Sequence, residues 1–230
     1  MKKSFFFLCS LFLLNGCSEK TENSISDNPD QSNNLSYVFS AADLKKTLAR
    51  EDLLHFHVRP ILTHNNQLDV QIVGVTSDHK EYEVVSATVQ KNILDLNKLK
   101  KMPEVSQQEI EAQNKIVSQH IIQATKGYKY ANTFLKNGNL FKNSESLTYN
   151  GDVIHYFILE KEIVADIIER SNMSAMAIFW GVNDNFRLTP VFMGINDNHH
   201  KINDSKTDNN IYVYDIVRPV PPFGNGEPPF

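Results

Sequence analysis

The chain has 230 residues, with 23 Lys or Arg against 27 Asp or Glu and a formal charge of −4. It contains no basic run that could neutralise a phosphate backbone, which removes nucleic-acid binding from the functions the sequence supports. Both cysteines, Cys9 and Cys17, lie near the amino terminus, so the remainder has neither a disulfide nor a thiol nucleophile and its core must hold the fold unaided.

The opening stretch is MKKSFFFLCSLFLLNGCSEK. Lys2 and Lys3 precede an apolar run from Ser4 to Asn15 that is too short to span a bilayer and reads as a secretory signal. Leu14-Asn15-Gly16-Cys17 resembles the bacterial lipobox, although Asn15 stands where that motif usually has a small or β-branched residue. The resemblance implies that residues 1–16 are a lipoprotein signal peptide and that Cys17 carries the lipid. Ser18 follows the cysteine, which by resemblance to lipoproteins of two-membrane bacteria implies transfer to the outer membrane. The periplasmic and surface sides both stay open. Residues 17–36 are rich in Ser, Asn and Asp, cannot bury enough surface to fold, and read as the lipidated flexible tether.

Residues 37–103 read as a first α+β unit. Tyr37 to Phe39 suggests a short strand. Ser40 can cap the following helix, with Asp43 in reach for a reciprocal contact and Leu44 and Leu48 on one face. LLHFHVRPIL alternates, with Leu54, Phe56 and Val58 against His55, His57 and Arg59. LDVQIVGV alternates again across the polar turn HNNQ, which makes a β-hairpin. A turn centred on Asn65 sets Arg59 opposite Gln71 and Ile61 opposite Asp69. EYEVVSATVQ, residues 81–90, reads as a third strand.

Residues 104–218 read as a second α+β unit with a leading helix. Ser106 and Glu109 form a capping box. Ile110, Gln113, Val117, Ile121 and Ala124 trace one face of a helix that Gly127 ends. VIHYFILE reads as a strand, and KEIVADIIERSN as a helix with Ile163, Val164, Ile167 and Ile168 inward. MAIFWGV and LTPVFMGI read as strands around the turn NDNFR. Ala177, Phe179, Val191 and Met193 make this hairpin apolar on both faces, so it is expected to be covered on both. Residues 219–230 form a Pro-rich tail that cannot serve as a central strand.

The two units share a plan. At a fixed offset of 120, residues 43–79 align without a gap onto 163–199, pairing Leu44 with Val164, Val58 with Ile178, Leu68 with Leu188 and Gly74 with Gly194. The retained apolar register points to a repeated helix–hairpin unit. Asn196-Asp197-Asn198 then reads as a strand exit, because the loop after it has neither the Gly nor the distal Glu of a calcium loop. The fold class expected is α+β, an antiparallel sheet with a few helices, built from two related helix–hairpin units.

Several pieces of the second half, EAQNKIVSQHII, VIHYFILEKEIVADIIE, SAMAIFWGVNDN, LTPVFMGIND and YDIVRPVPPFGNGEPPF, together resemble an uncharacterised family of small Bacteroidota proteins, often lipoproteins. The resemblance covers roughly residues 104–230 and implies no activity.

Chemistry-bearing residues are sparse. His55, His57 and Arg59 share the polar face of one strand with Asp69 on its partner, and these four are the candidate binding residues. Two His at this spacing need a third protein ligand to hold a metal, so the expectation is a solvated face with no metal and no cofactor. His199 and His200 form a second such pair. Glu160 and Glu162 read as charges at a helix start. No nucleophile elbow, HExxH motif, CxxC pair or phosphate loop occurs. The expected function is a lipid-anchored envelope protein acting as a binding or structural module, with an envelope protein or polymer as partner. The alternative is an envelope hydrolase with an unrecognised site.

Overall fold

A computed structural model describes residues 35–65, 68–91, 96–137, 147–149, 152–170, 173–196, 212–215 and 219–220. The first half contributes β1 (Leu35–Ser40), α1 (Ala41–Leu48), β2 (Leu53–Leu62), β3 (Leu68–Thr76), β4 (Glu81–Val85), β5 (Thr88–Lys91) and α2 (Leu96–Lys101). There follow α3 (Gln107–Glu111), α4 (Lys115–Ser118), β6 (Ile121–Ile122), α5 (Ala124–Asn137), β7 (Thr148–Tyr149) and β8 (Asp152–Val153). The remainder is β9 (Tyr156–Glu160), α6 (Lys161–Glu169), β10 (Ala175–Val182), β11 (Leu188–Ile195), β12 (Val213–Asp215) and β13 (Pro219–Val220).

Two antiparallel sheets with helices make the fold α+β. One sheet has six strands in the order β5-β1-β10-β11-β12-β6, and the other has five in the order β13-β9-β2-β3-β4. Each draws strands from both halves of the chain. β1 pairs with β10, Tyr37 opposite Ile178, and β9 pairs with β2, Phe157 opposite Val58. The hairpin registers place Gly74 opposite Phe56 and Gly194 opposite Met176. Each of these second-half residues lies 120 positions from its first-half counterpart.

The sheets close on one another over Tyr37, Phe39, Phe56, Ile72, Phe157, Met176, Ile178 and Phe192, all essentially inaccessible to solvent. Phe157 of one sheet meets Trp180 of the other with ring centroids 6.1 Å apart. Leu44 of α1 and Ile163, Val164, Ile167 and Ile168 of α6 complete this cluster. The outer face of the six-stranded sheet is covered by α2 and α5, whose Leu96, Leu99, Tyr130 and Ala131 pack on Ala177, Phe179, Val191 and Met193. β10 and β11 are therefore buried at every position, as expected of a hairpin apolar on both faces. Among the described residues, Pro60 and Pro190 each lie beyond the last pair their strand makes with the neighbour on its second side, Val58 with Phe157 and Val191 with Asp215, which suits residues that lack an N–H.

Four elements differ from the sequence reading. In β2 the pairing shifts between Leu53 and His55, so Leu53 goes inward and Leu54 outward; Lys161 Nζ donates to the Leu53 carbonyl at 2.9 Å beside this bulge. Residues 81–90 are two strands in different sheets, β4 at the edge of one and β5 at the edge of the other. The strand read over 153–160 is split between β8, which pairs with β7, and β9. The single helix over 106–127 is α3, α4, β6 and the start of α5. The Ser106–Glu109 capping box is present, but Asn114 starts a second helix by accepting from Ile116 N at 2.7 Å, and Ile121-Ile122 leave to pair with β12. Gly127 ends nothing. It lies inside α5 where the helix touches the sheet, and a Cβ there would stand 2.8 Å from Val213 Cγ1.

Ser40 caps α1 through Ala42 N at 3.2 Å. At Gly74 the Tyr82 ring fills the space a Cβ would need, 2.6 Å away, and the β3–β4 pairing shifts between Gly74 and Val75. β13 takes an edge position, which suits proline. The rest of the tail, Cys17 and the tether to residue 34, and His199 and His200 lie outside the described residues.

Candidate functional site

Strand alternation turns Phe56 and Val58 into the core, and so turns His55, His57 and Arg59 to the outer face of the five-stranded sheet. β3 and β9 flank β2 there, with His57 opposite Val73 on one side and Ile158 on the other. The register shift after Gly74 brings Glu81 opposite Val75, within reach of the β2 side chains. His57 Nδ1 lies 2.9 Å from Glu81 Oε1, and Arg59 Nη2 donates to the same oxygen. His55 Nε2 and His57 Nε2 are 3.2 Å apart. The His57 ring lies flat on Tyr156, with centroids 3.7 Å apart and planes 16° apart. Exposed Ile61 and Val84 border the group on the same face.

The network fixes the tautomers by inference. Burial pushes His57 down against the pull of Glu81, and burial together with the neighbouring His57 and His79 holds His55 down to about 4. Both rings are therefore neutral at pH 7. Burial alone would raise the Glu81 carboxyl, but the bonds from His57 and Arg59 outweigh it and hold it below the usual range. An ionised Glu81 only accepts, so His57 carries its proton on Nδ1 and leaves Nε2 bare. His55 must then donate Nε2–H to His57 Nε2. The result is a directed chain, His55 to His57 to Glu81, with Arg59 supplying the countercharge.

The solvated face expected for these residues is corrected at its centre, because His57 is only 9% exposed. Three of the four candidates, His55, His57 and Arg59, come together. Asp69 does not join them. It sits opposite Ile61 near the hairpin end and accepts from Val70 N at 2.7 Å. Glu81 and Tyr156 were missed. Neither carries a local signal: Glu81 opens β4, and Tyr156 opens a strand from the other half of the chain. Glu162 lies in the first turn of α6, as expected, and Glu160 pairs through its backbone with His55.

A second polar group lies where α6 meets β12. Arg170 Nη2 donates to both Asp166 oxygens, at 2.8 and 2.7 Å, and its guanidinium lies 3.9 Å over the Tyr212 ring. The Tyr214 hydroxyl donates to Asp166, and Gln113 Nε2 reaches the Tyr212 hydroxyl at 3.4 Å. These contacts lock a helix to a strand, and their donors are matched by acceptors. Arg50, 120 positions earlier, lies over the Tyr82 ring at 4.0 Å.

Among the described residues no three His, Cys, Asp or Glu side chains gather as a metal centre, and no helix is long and apolar enough to cross a membrane. No protein-family model, curated protein or solved structure matches the chain.

Proposed function

We propose that the protein is a lipid-anchored component of a bacterial envelope and works as a binding module through the outer face of its five-stranded sheet. The observation that carries this reading is the unequal covering of the two sheets. α2 and α5 bury the outer face of the six-stranded sheet, whereas the five-stranded sheet keeps His55, Arg59 and Glu81 partly open to solvent with Ile61 and Val84 beside them. An aliphatic border around an arginine suits a protein partner. Support for the anchor is Gly16-Cys17 directly after the apolar run, and this reading sets the chain beside the small Bacteroidota lipoproteins that residues 104–230 resemble.

Two experiments test it. Cys17→Ser should release the protein from the membrane fraction or leave the precursor uncut; a variant processed and retained like wild type removes the anchor. Crosslinking in intact envelopes should capture a protein partner that Arg59→Ala with Val84→Lys abolishes. Capture by a cell-wall polymer instead would change the partner class, and capture unaffected by these substitutions would remove the face.

A second reading, an envelope hydrolase, is favoured by one observation. A carboxylate on Nδ1 with a bare Nε2 is the arrangement of a general base. His57 Nε2 meets an imidazole rather than a hydroxyl, so the binding reading leads.

We also propose that the two halves arose by duplication of one strand–helix–hairpin unit. What supports this is the common offset of 120 in β1/β9, α1/α6, β2/β10 and β3/β11, the matching pair registers, and the recurrence of an arginine over a tyrosine after each helix.

A further inference from the structure

The two imidazoles on β2 present the same atom to each other. His55 Nε2 and His57 Nε2 are 3.2 Å apart. His57 is held in that orientation from behind, by Glu81 at its Nδ1 and by the Tyr156 ring against its face. Glu81 is itself fixed by Arg59. One hydrogen can fill the gap between two neutral rings. The same gap has another occupant of matching size. Two imidazole nitrogens on one tetrahedral ion, each at about 2.0–2.1 Å, stand about 3.3 Å apart. A carboxylate on the far nitrogen of a ligating imidazole is the usual device for fixing its tautomer and raising its donor strength.

We propose that His55 Nε2 and His57 Nε2 form a two-histidine site for a divalent cation of the zinc class, with Glu81 as the outer partner of His57. Imidazole donors select zinc, copper and nickel over magnesium and calcium, which take oxygen. No third His, Cys, Asp or Glu is in place among the described residues, so the pair alone holds the ion as an incomplete site, with water in the open positions until a donor from the bound partner supplies the third protein ligand. His57 enters with its Nε2 unprotonated, and the lone pair that accepts from His55 turns to the ion. His55 must carry its proton on Nδ1 rather than Nε2 to present a lone pair to the ion. The inference deepens, and rests on, the reading of this face as the binding surface.

The test is a zinc chloride titration of the full chain, carried without a polyhistidine tag, followed by calorimetry at neutral pH with magnesium chloride as the comparison. One zinc per chain is expected, with no response to magnesium. Affinity should fall about tenfold or more in His55→Gln and in Glu81→Gln. His55 is partly exposed, and a thermal melt checks that its variant is folded. The titration is repeated in His199→Gln/His200→Gln, which should bind as wild type does. No zinc uptake at millimolar metal overturns the proposal, and so does a site that survives His55→Gln or is lost with His199 and His200. Since the titration uses the metal alone, its failure alongside an intact envelope crosslink would remove the metal and leave the binding face standing.

Discussion

The Tyr37 hydroxyl on β1 donates to the Leu68 carbonyl on β3, and this bond runs from one sheet to the other through the core. Tyr37 is 1% exposed, and burial, aided by the Asp69 charge, pushes its phenol far above the ordinary range. Tyr37→Phe keeps the ring and strands a buried carbonyl, at a cost of about 1–3 kcal/mol. Urea denaturation should show a lower midpoint with an unchanged slope. A midpoint equal to wild type would mean that the carbonyl finds another donor.

Gly127→Ala sets two effects against each other. Alanine favours a helix interior over glycine by about 1 kcal/mol. The added carbon would stand 2.8 Å from Val213, a β-branched side chain 1% exposed, so α5 must move off the sheet. Overpacking of this kind costs about 1–3 kcal/mol. The clash should win and lower the melting temperature. A rise would show that α5 has room to slide.

Asp215 ends β12, is 7% exposed, and has its carboxyl raised by burial against the opposing pull of Lys126 and His120. A carboxyl raised in the fold binds its proton more tightly there than in the unfolded chain. Stability is therefore lost as pH rises from the unfolded value, about 3.9, through the folded one. Asp215→Asn removes that loss. The variant should melt higher than wild type at neutral pH, and the gain should fade at acid pH. A variant that melts lower at neutral pH would show that the ionised carboxylate is the favoured form.

Arg170 and Arg50 make the same stack in different surroundings. The Arg170 and Asp166 side chains are 16% and 21% exposed, while those of Arg50 and its partner Asp52 are 44% and 47% exposed. Arg170→Ala leaves Asp166 without its fork and Tyr212 without its cation, for a loss of about 2–3 kcal/mol. Arg50→Ala, at a pair open to solvent, should cost clearly less. Equal losses in chemical denaturation would contradict the difference in burial.

What could be read from the sequence was what local pattern decides. The β2–β3 register was legible once the turn was centred on Asn65, and Arg59 does face Gln71. The coverage of β10 and β11 was legible from apolar residues on both faces. The stretch 106–127 was not. Its helical spacing is real, but Asn114 restarts the helix and the destination of Ile121-Ile122 is a strand some 90 residues later. The site was half legible for the same reason. His55, His57 and Arg59 follow from alternation, whereas Glu81 depends on the register shift after Gly74 and Tyr156 on a strand supplied by the other half.

The crossed assignment of strands has a consequence for the order of assembly. A chain delivered amino-end first presents β2, β3 and β4 as a three-stranded sheet with a bare edge until β9 arrives, and β9 keeps a bare edge until Pro219-Val220 dock on it. β1 likewise waits for β10, some 140 residues later. Neither half can finish its own sheet, so the closing contacts are long-range ones and the search for them is slow. During that interval the exposed strand edges can pair with other chains. A protein of this kind should unfold in one cooperative step, and its halves expressed separately should aggregate unless they meet.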